Sequence, residues 1–290
     1  MKRKLKKSVR LSIVVIARNE AEMLGDCLES ARWADELIVI DTGSGDGTVK
    51  IAQRKADRVI SLPFKSYQFS AWRNLGIKKA TGDWLFYLDA DERITPLLKK
   101  EILGAINRHQ KRDSRISSLR EKTAGSRKTD CRRISFGKIV AYSVPRRNFY
   151  LGREMKFGGA WPDYVIRLFK KKNLKKWRHR LHEQPRFEGD LGKFQNPLIH
   201  LTHRDLTSML EKTIDWTEIE AGLLFKADHP PVVWWRIFRM MMTKFWQRFI
   251  RQQAYRDGTE GFINSLFEVF NTFIIYARLW EKQRRPDSSF

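Results

Sequence analysis

Cysteine, acid and long apolar runs are all scarce in this chain, and each scarcity removes a class of protein. Only Cys27 and Cys131 occur in 290 residues. That is too few for a disulfide framework and suits a reducing compartment. Acidic residues number 33 against 57 Lys and Arg, a net charge of +24. A surface so short of acid favours an anionic partner: nucleic acid, an acidic membrane or a phosphorylated substrate. The best apolar run, FINSLFEVFNTFIIYA at 262–277, is short and contains Asn264, Glu268 and Asn271, so it falls below a membrane span. LSIVVIA follows the basic MKRKLKKSVR but is cut off at once by Arg18 and Glu20. It reads as a strand entered from a basic tail at 1–10 rather than as a signal peptide. The chain is expected to be soluble or peripheral.

What is present argues for a globular protein. Apolar residues make up 42% and aromatics 12%, enough at this length for a full core in one large domain or in one domain with an appendage. The first hundred residues alternate between two periods. LSIVVIA (11–17), ELIVIDT (36–42), RVISLP and DWLFYLD read as strands. Between them EAEMLGDCLESARW, DGTVKIAQRKA and FSAWRNLGIKKATG read as helices. This β-α-β-α order implies an α/β fold with a mostly parallel sheet flanked by helices. Residues 107–133 are basic and rich in Ser and Arg, and read as an inserted, mobile loop. The segment 161–206 mixes polar and apolar residues with several histidines, and the remainder reads as helical.

In a parallel sheet, ligands bind at the carboxyl ends of the strands, which gathers ARNE (17–20), DTGSGDGT (41–48) and DADER (89–93) at one edge. DTGSGDGT is neither a dinucleotide fingerprint nor a P-loop, because its spacing is G-x-G-x-G and no GKT or GKS follows. It is not a calcium loop either, with Asp46 where Gly is required and Ala52 where Glu is required. A turn that caps the next helix through Asp46 or Thr48 is the plainer reading. In DADER, Asp89 and Asp91 are two apart at a strand end. If extended they point the same way, a spacing suited to holding a divalent cation with a phosphate. The plainer alternative is a solvated acidic turn capping the helix ITPLLKKEI.

Together, ARNE, VIDTGSGDGT, AWRNLGIKKATGDW and LFYLDADER resemble, in order and spacing, the nucleotide-sugar half of the inverting GT-A glycosyltransferases of family two. Farther on, VPRRNFYLG, WPDYVIRLFKK, LHEQP and IYARLWE resemble, more loosely, the branch containing the lipopolysaccharide inner-core beta-glucosyltransferases. The resemblance implies a GT-A fold with a helical C-terminal region. It divides the chain into a nucleotide-sugar-binding half at 11–106, the basic insert at 107–133, an acceptor-binding and catalytic half at 134–206, and a helical region at 207–290. It assigns donor contacts to Ala17, Arg18, Asn19, Glu20, Asp41, Arg73 and Asp89. Mg²⁺ or Mn²⁺ is implied, held by Asp91 ahead of Asp89, with His182 as a candidate addition.

Inverting transfer is one displacement at the anomeric carbon, so a carboxylate must take the acceptor hydroxyl's proton. The resemblance points to Asp163 in GGAWPDYVIRLF, although Pro162 stands where the family has Glu. Glu183 and Glu154 are the alternatives. The implied partners are a UDP-hexose, with UDP-glucose as the expected donor, and an anionic lipid-linked saccharide such as the lipopolysaccharide inner core. The expected location is cytoplasmic, with peripheral contact at the cytoplasmic face of the inner membrane. In VVWWRIFRMMMTKFWQRFIRQQ, Trp234, Phe238, Met241, Met242, Phe245 and Phe249 share one face, and Arg236, Lys244, Arg248 and Arg251 another. This suits either packing or an anionic membrane. The competing functions are another family-two transferase with a different sugar or acceptor and, from a different class, a basic nucleic-acid-binding protein. It accounts for the charge but not for acids gathered at one sheet edge, and no RNA-binding signature of the K/R-G-F/Y-G/A-F type occurs, so no specific nucleic acid is expected.

Overall fold

Runs such as LSIVVIA and ELIVID are apolar at nearly every position, a pattern that only a strand covered on both faces can bury. The computed structural model describes residues 10–123, 139–179 and 183–284, with the side chains of 112–123 excepted. Its chain divides into two compact units. The first comprises residues up to Pro145 together with Tyr164–Leu198, and the second comprises Arg146–Asp163 and everything from Ile199 onward. The division therefore differs from the consecutive blocks at 134–206 and 207–290, because the chain leaves the first unit and returns to it.

The first unit opens with β1 (Leu11–Ala17), α1 (Ala21–Ala31), β2 (Glu36–Asp41), α2 (Thr48–Lys55), β3 (Arg58–Ser61), α3 (Phe69–Lys79) and β4 (Trp84–Asp89). The short β5 (Glu92–Ile94) and the long α4 (Pro96–Thr123) follow. Next come β6 (Ile139–Tyr150), which ends in the second unit, β7 (Arg153–Met155) within that unit, and β8 (Asp163–Lys170), which returns. The first unit closes with β9 (Leu174–Arg178), β10 (Gln184–Phe187) and β11 (Asp190–Lys193).

Its sheet has the order β3-β2-β1-β4-β8-β6. The first four strands are mutually parallel and β8 is antiparallel to β4. Alternate side chains serve opposite faces. Ile13, Val15, Leu37, Val39, Phe86 and Leu88 join α1 and α4 in one core. Val14, Ile38, Ile40, Leu85 and Tyr87 join Trp72 of α3 and Trp177 of β9 in the other. The register sets Asp41 beside Ala17 and Asp89 beside Ile16, so β1, β2 and β4 end level at one edge.

Residues 107–123, expected to begin a loop insert, instead continue α4. The rest of that stretch and the basic tail at 1–9 lie outside the described residues. The acids of DADER do not cap α4. Its cap is Thr95, whose Oγ1 accepts the Leu98 amide at 3.2 Å, with Pro96 at the first helical position.

The second unit pairs the end of β6 antiparallel with β7. β12 (Leu198–Leu201), which begins on the last residue of the first unit, leads into α5 (Leu206–Lys226), α6 (Trp234–Phe245) and α7 (Gly258–Arg284), with a π-helical turn at Trp246–Arg251 after α6. Asp205 and Ser208 form a reciprocal capping box on α5. Ala221 of α5, Val232, and Tyr276 and Leu279 of α7 form a small core, against which Ile237 and Met240 of α6 pack. Among the described residues, no helix is long and apolar enough to cross a membrane.

Candidate active site

The loops that leave β1 and β2 are tied to each other. Asn19 takes a left-handed backbone, φ 53°. Its amide donates to Ser44 Oγ at 2.9 Å, and its Oδ1 accepts the Gly45 amide at 2.9 Å. The Glu20 amide donates to Thr48 Oγ1 at 2.8 Å, and the Ala21 amide to Asp46 Oδ2 at 3.1 Å. Asp46 is exposed; what little burial it has would raise its pKa, but hydrogen bonds from Thr48 and the Ala21 amide hold it below the usual carboxylate range. Asp41 is buried and accepts the Gly43 and Ser44 amides and the Ser44 hydroxyl. Its visible work is to shape the turn. Of the three glycines here, Gly43 is the one that the backbone demands. Its φ is 90°, and a Cβ would stand 2.6 Å from the Phe64 nitrogen. Arg18 lies over Phe64, with Cζ 3.3 Å from the ring centroid, and donates to the Tyr67 hydroxyl at 3.2 Å.

At the end of β4 the acids meet arginines. Arg73, buried on α3, donates to Asp89 Oδ1 at 3.3 Å and to Glu183 Oε1 at 2.8 Å. Arg167, buried on β8, donates to Asp89 Oδ2 and to Glu92 Oε1. Glu92 is fully buried and accepts the Asp89 amide at 3.0 Å through its other oxygen. Burial would lower the Arg167 pKa, but Asp89 and Glu92 overcome it and raise it above the ordinary arginine value. Aromatic rings back the cluster, with Arg73 Cζ 4.9 Å from the Trp177 ring and 5.3 Å from Tyr87. The Tyr87 hydroxyl donates to the Arg73 carbonyl at 2.6 Å.

The density of acid in DADER therefore has a structural cause that sequence reasoning missed: two buried guanidinium groups need counter-charges. Arg73 and Asp89, both anticipated, come together. Glu92 was passed over, although the third acid of DADER was its signal. Asp91 stands in the turn after β4, half-buried, so the extended geometry that would aim it alongside Asp89 stops at Asp89. Among the described residues, no cluster of three or more His, Cys, Asp or Glu is placed to hold a metal. His182 lies outside the described residues.

Asp163 opens β8 in the second unit. Its Oδ2 accepts Arg146 Nε at 2.9 Å, Arg146 Nη2 at 2.6 Å and Asn148 Nδ2 at 3.2 Å. Asn148 Oδ1 lies 2.6 Å from His200 Nδ1. Glu154 is clasped by Arg147 through two bonds of 2.7 and 2.5 Å, which lower its pKa against a smaller opposing effect of burial.

A mostly parallel sheet flanked by helices, with an edge of acids and arginines and a helical C-terminal region, is the GT-A architecture of nucleotide-sugar transferases. The Glycosyl transferase family 2 model matches residues 12–182, and the chain belongs to that family. It is a transferase, related to the lipopolysaccharide core biosynthesis glycosyltransferase LpsC of Rhizobium meliloti, with 23% identity over 94% of this chain and 92% of that protein. An uncharacterized glycosyltransferase of Rickettsia conorii is 30% identical over 94% of this chain and 90% of its own length. Among solved structures, glucosyl-3-phosphoglycerate synthase from Mycobacterium tuberculosis, in complex with Mn²⁺, UDP and phosphoglyceric acid, is 26% identical over 29% of this chain and 34% of that one. Its TM-score is 0.27, a likeness too partial to bear on ligands here.

Proposed function

We propose that the protein transfers a hexose with inversion, glucose from UDP-glucose, onto an anionic lipid-linked saccharide of the lipopolysaccharide inner-core kind, at the cytoplasmic face of the inner membrane. The observation that carries the donor half is the Glu183–Arg73–Asp89–Arg167–Glu92 network at the carboxyl edge of the sheet. It places two buried cations and a row of carboxylates where α/β sheets bind nucleotides. The loops carrying Ala17, Arg18, Asn19, Glu20 and Asp41 border the same edge, and on this reading Arg18 and its aromatic neighbours meet the base.

Mg²⁺ or Mn²⁺ would be held chiefly by Asp91, a hard carboxylate in the turn after β4, with the substrate's phosphates, since both oxygens of Asp89 are engaged by arginines and such ions are commonly held by one or two carboxylates plus substrate phosphates. Asp91 and then Asp89 are the residues that would hold the cation, which would neutralise charge on the departing diphosphate.

For the base we assign Asp163. Proton transfer from the acceptor hydroxyl to its carboxylate accompanies attack on the anomeric carbon, while the nucleoside diphosphate leaves. Arg146 and Asn148 fix the carboxylate's orientation. Of the alternatives, Glu154 has both oxygens held by Arg147 and its pKa lowered, whereas the bonds from Arg146 and Asn148 to Asp163 fall on Oδ2. Glu183 is committed to Arg73.

Thermal melting against a panel of nucleotide sugars tests the donor half, with Mn²⁺, with Mg²⁺ and with chelator. A metal-dependent rise with UDP-glucose that is absent from Asp91→Ala is expected, because a ligand that binds only the folded state stabilises it. A rise unaffected by chelator or by that substitution would overturn the metal assignment. No rise with any donor, alongside stabilisation by an oligonucleotide, would overturn the transferase reading.

A further inference from the structure

Helix α6 and the π-helical turn that follows it bury none of their side chains. Ile237 and Met240 turn inward to pack near Val232, Tyr276 and Leu279, and that contact fixes the rotation of the helix. Trp234, Phe238, Met242, Trp246 and Ile250 then recur at every fourth position on the outward arc, all exposed, with Trp234 at 80%, Phe238 at 61% and Trp246 at 63%. Trp235 is exposed beside them. A contiguous apolar strip of this kind on a charged protein marks a contact surface.

Its chemistry selects the partner. Between His229 and Arg256 the chain has no Asp or Glu, while Arg236, Arg239, Lys244, Arg248, Arg251 and Arg256 supply six positive charges. Three of these are engaged locally: Arg248 with the Gly158 carbonyl and Glu268, Arg236 with the carbonyls of Pro230 and Pro231, and Arg256 with the Gln253 side chain and the Phe157 ring. Arg239 and Arg251 are exposed. A second copy docked through the same strip would bring cations against cations with no acid from the 229–256 segment between them, because a two-fold interface repeats one surface. A nucleic acid would meet apolar side chains where its phosphates need cations. Anionic headgroups above an acyl boundary satisfy both halves, since tryptophans and arginines favour the interface and Phe, Met and Ile the hydrocarbon just below it.

We infer that α6 and its π-helical turn form an interfacial membrane anchor, lying in the plane of an anionic bilayer with the Trp234–Ile250 strip inserted and Arg239 and Arg251 at the headgroups. The argument uses the second unit alone, so a failed membrane test leaves the transferase reading standing.

Flotation of the full chain with phosphatidylethanolamine–phosphatidylglycerol vesicles, against pure phosphatidylcholine vesicles, is the test. The protein should float with the anionic vesicles, with a blue shift in tryptophan fluorescence, and be released by high salt. The triple variant Trp234→Ser, Phe238→Ser, Trp246→Ser removes only exposed side chains. Its melting temperature should hold while its partition falls at least about tenfold. Arg239→Gln and Arg251→Gln, which guard against misfolding of the triple variant, should each lower partition by about fivefold. The inference is overturned if the triple variant floats as well as the parent, or if the parent does not float. It is equally overturned if the triple variant converts a dimer to a monomer, or loses oligonucleotide binding, with vesicle partition unchanged.

Discussion

Replacing Arg167 with methionine should expose how the acidic edge is held together. Arg167 is 4% exposed and bonds at once to Asp89 and to Glu92, which is 0% exposed. Methionine keeps much of the volume but removes the guanidinium that Glu92 meets. Breaking a buried pair by deleting one partner costs about 3–5 kcal/mol, because the charge left behind loses its counter-charge without gaining water. Asp89 adds little to that figure, since it is 32% exposed and still meets Arg73. For a unit of this size, about 2–4 °C of melting temperature is lost per kcal/mol, so the variant should melt roughly 6–20 °C below the parent near neutral pH. Adding Glu92→Gln should recover most of the loss, and a double-mutant cycle would show coupling between the two positions. Calorimetric scans of the four proteins near neutral pH are the assay. A single variant that melts within a degree or two of the parent, or a double variant that recovers none of the loss, would refute the counter-charge argument.

Three further outcomes are expected. Asp163→Asn should cut turnover by about 10²–10⁴-fold while the donor-induced melting shift stays intact; equal loss of both would deny it the role of base. Gly43→Ala should cost about 1–3 kcal/mol by chemical denaturation, because alanine at φ 90° is strained and its Cβ would press on the Phe64 backbone. Glu154→Gln should cost at most about 1 kcal/mol at neutral pH, since the ion pair with Arg147 is near the surface. Its pKa is lowered in the folded state, so the pair's contribution is present above the unfolded carboxylate value of about 4.3 and is lost as pH falls through the folded one. Parent and variant should therefore converge in acid, and a gap persisting there would show that the glutamate acts through packing.

Much of the first unit was legible from one strand of letters. An apolar run of strand length can be buried only inside a covered sheet, and helical spacing between such runs leaves little choice but a parallel order. β1, β2 and β4 therefore fall where periodicity put them, and so do the three loops at their ends. The strands from β8 to β12 were not legible, because they are short and alternate weakly; their partners, not their composition, make them strands. Helix α4 ran on past its apolar anchors at least to Thr123, where polarity had suggested a loop.

By itself, then, the sequence determined the kinds of element in the first unit, the edge at which its motifs gather and the family to which they belong, because these depend on local periodicity and on residues close along the chain. Only the tertiary structure decided which charges meet. Arg167 reaches Asp89 across 78 positions and Arg73 reaches Glu183 across 110, and no local pattern records a pairing at that distance. It also decided which way α6 faces. Periodicity shows that a helix has an apolar side, but only the packing of Ile237 and Met240 against their neighbours turns the tryptophans outward.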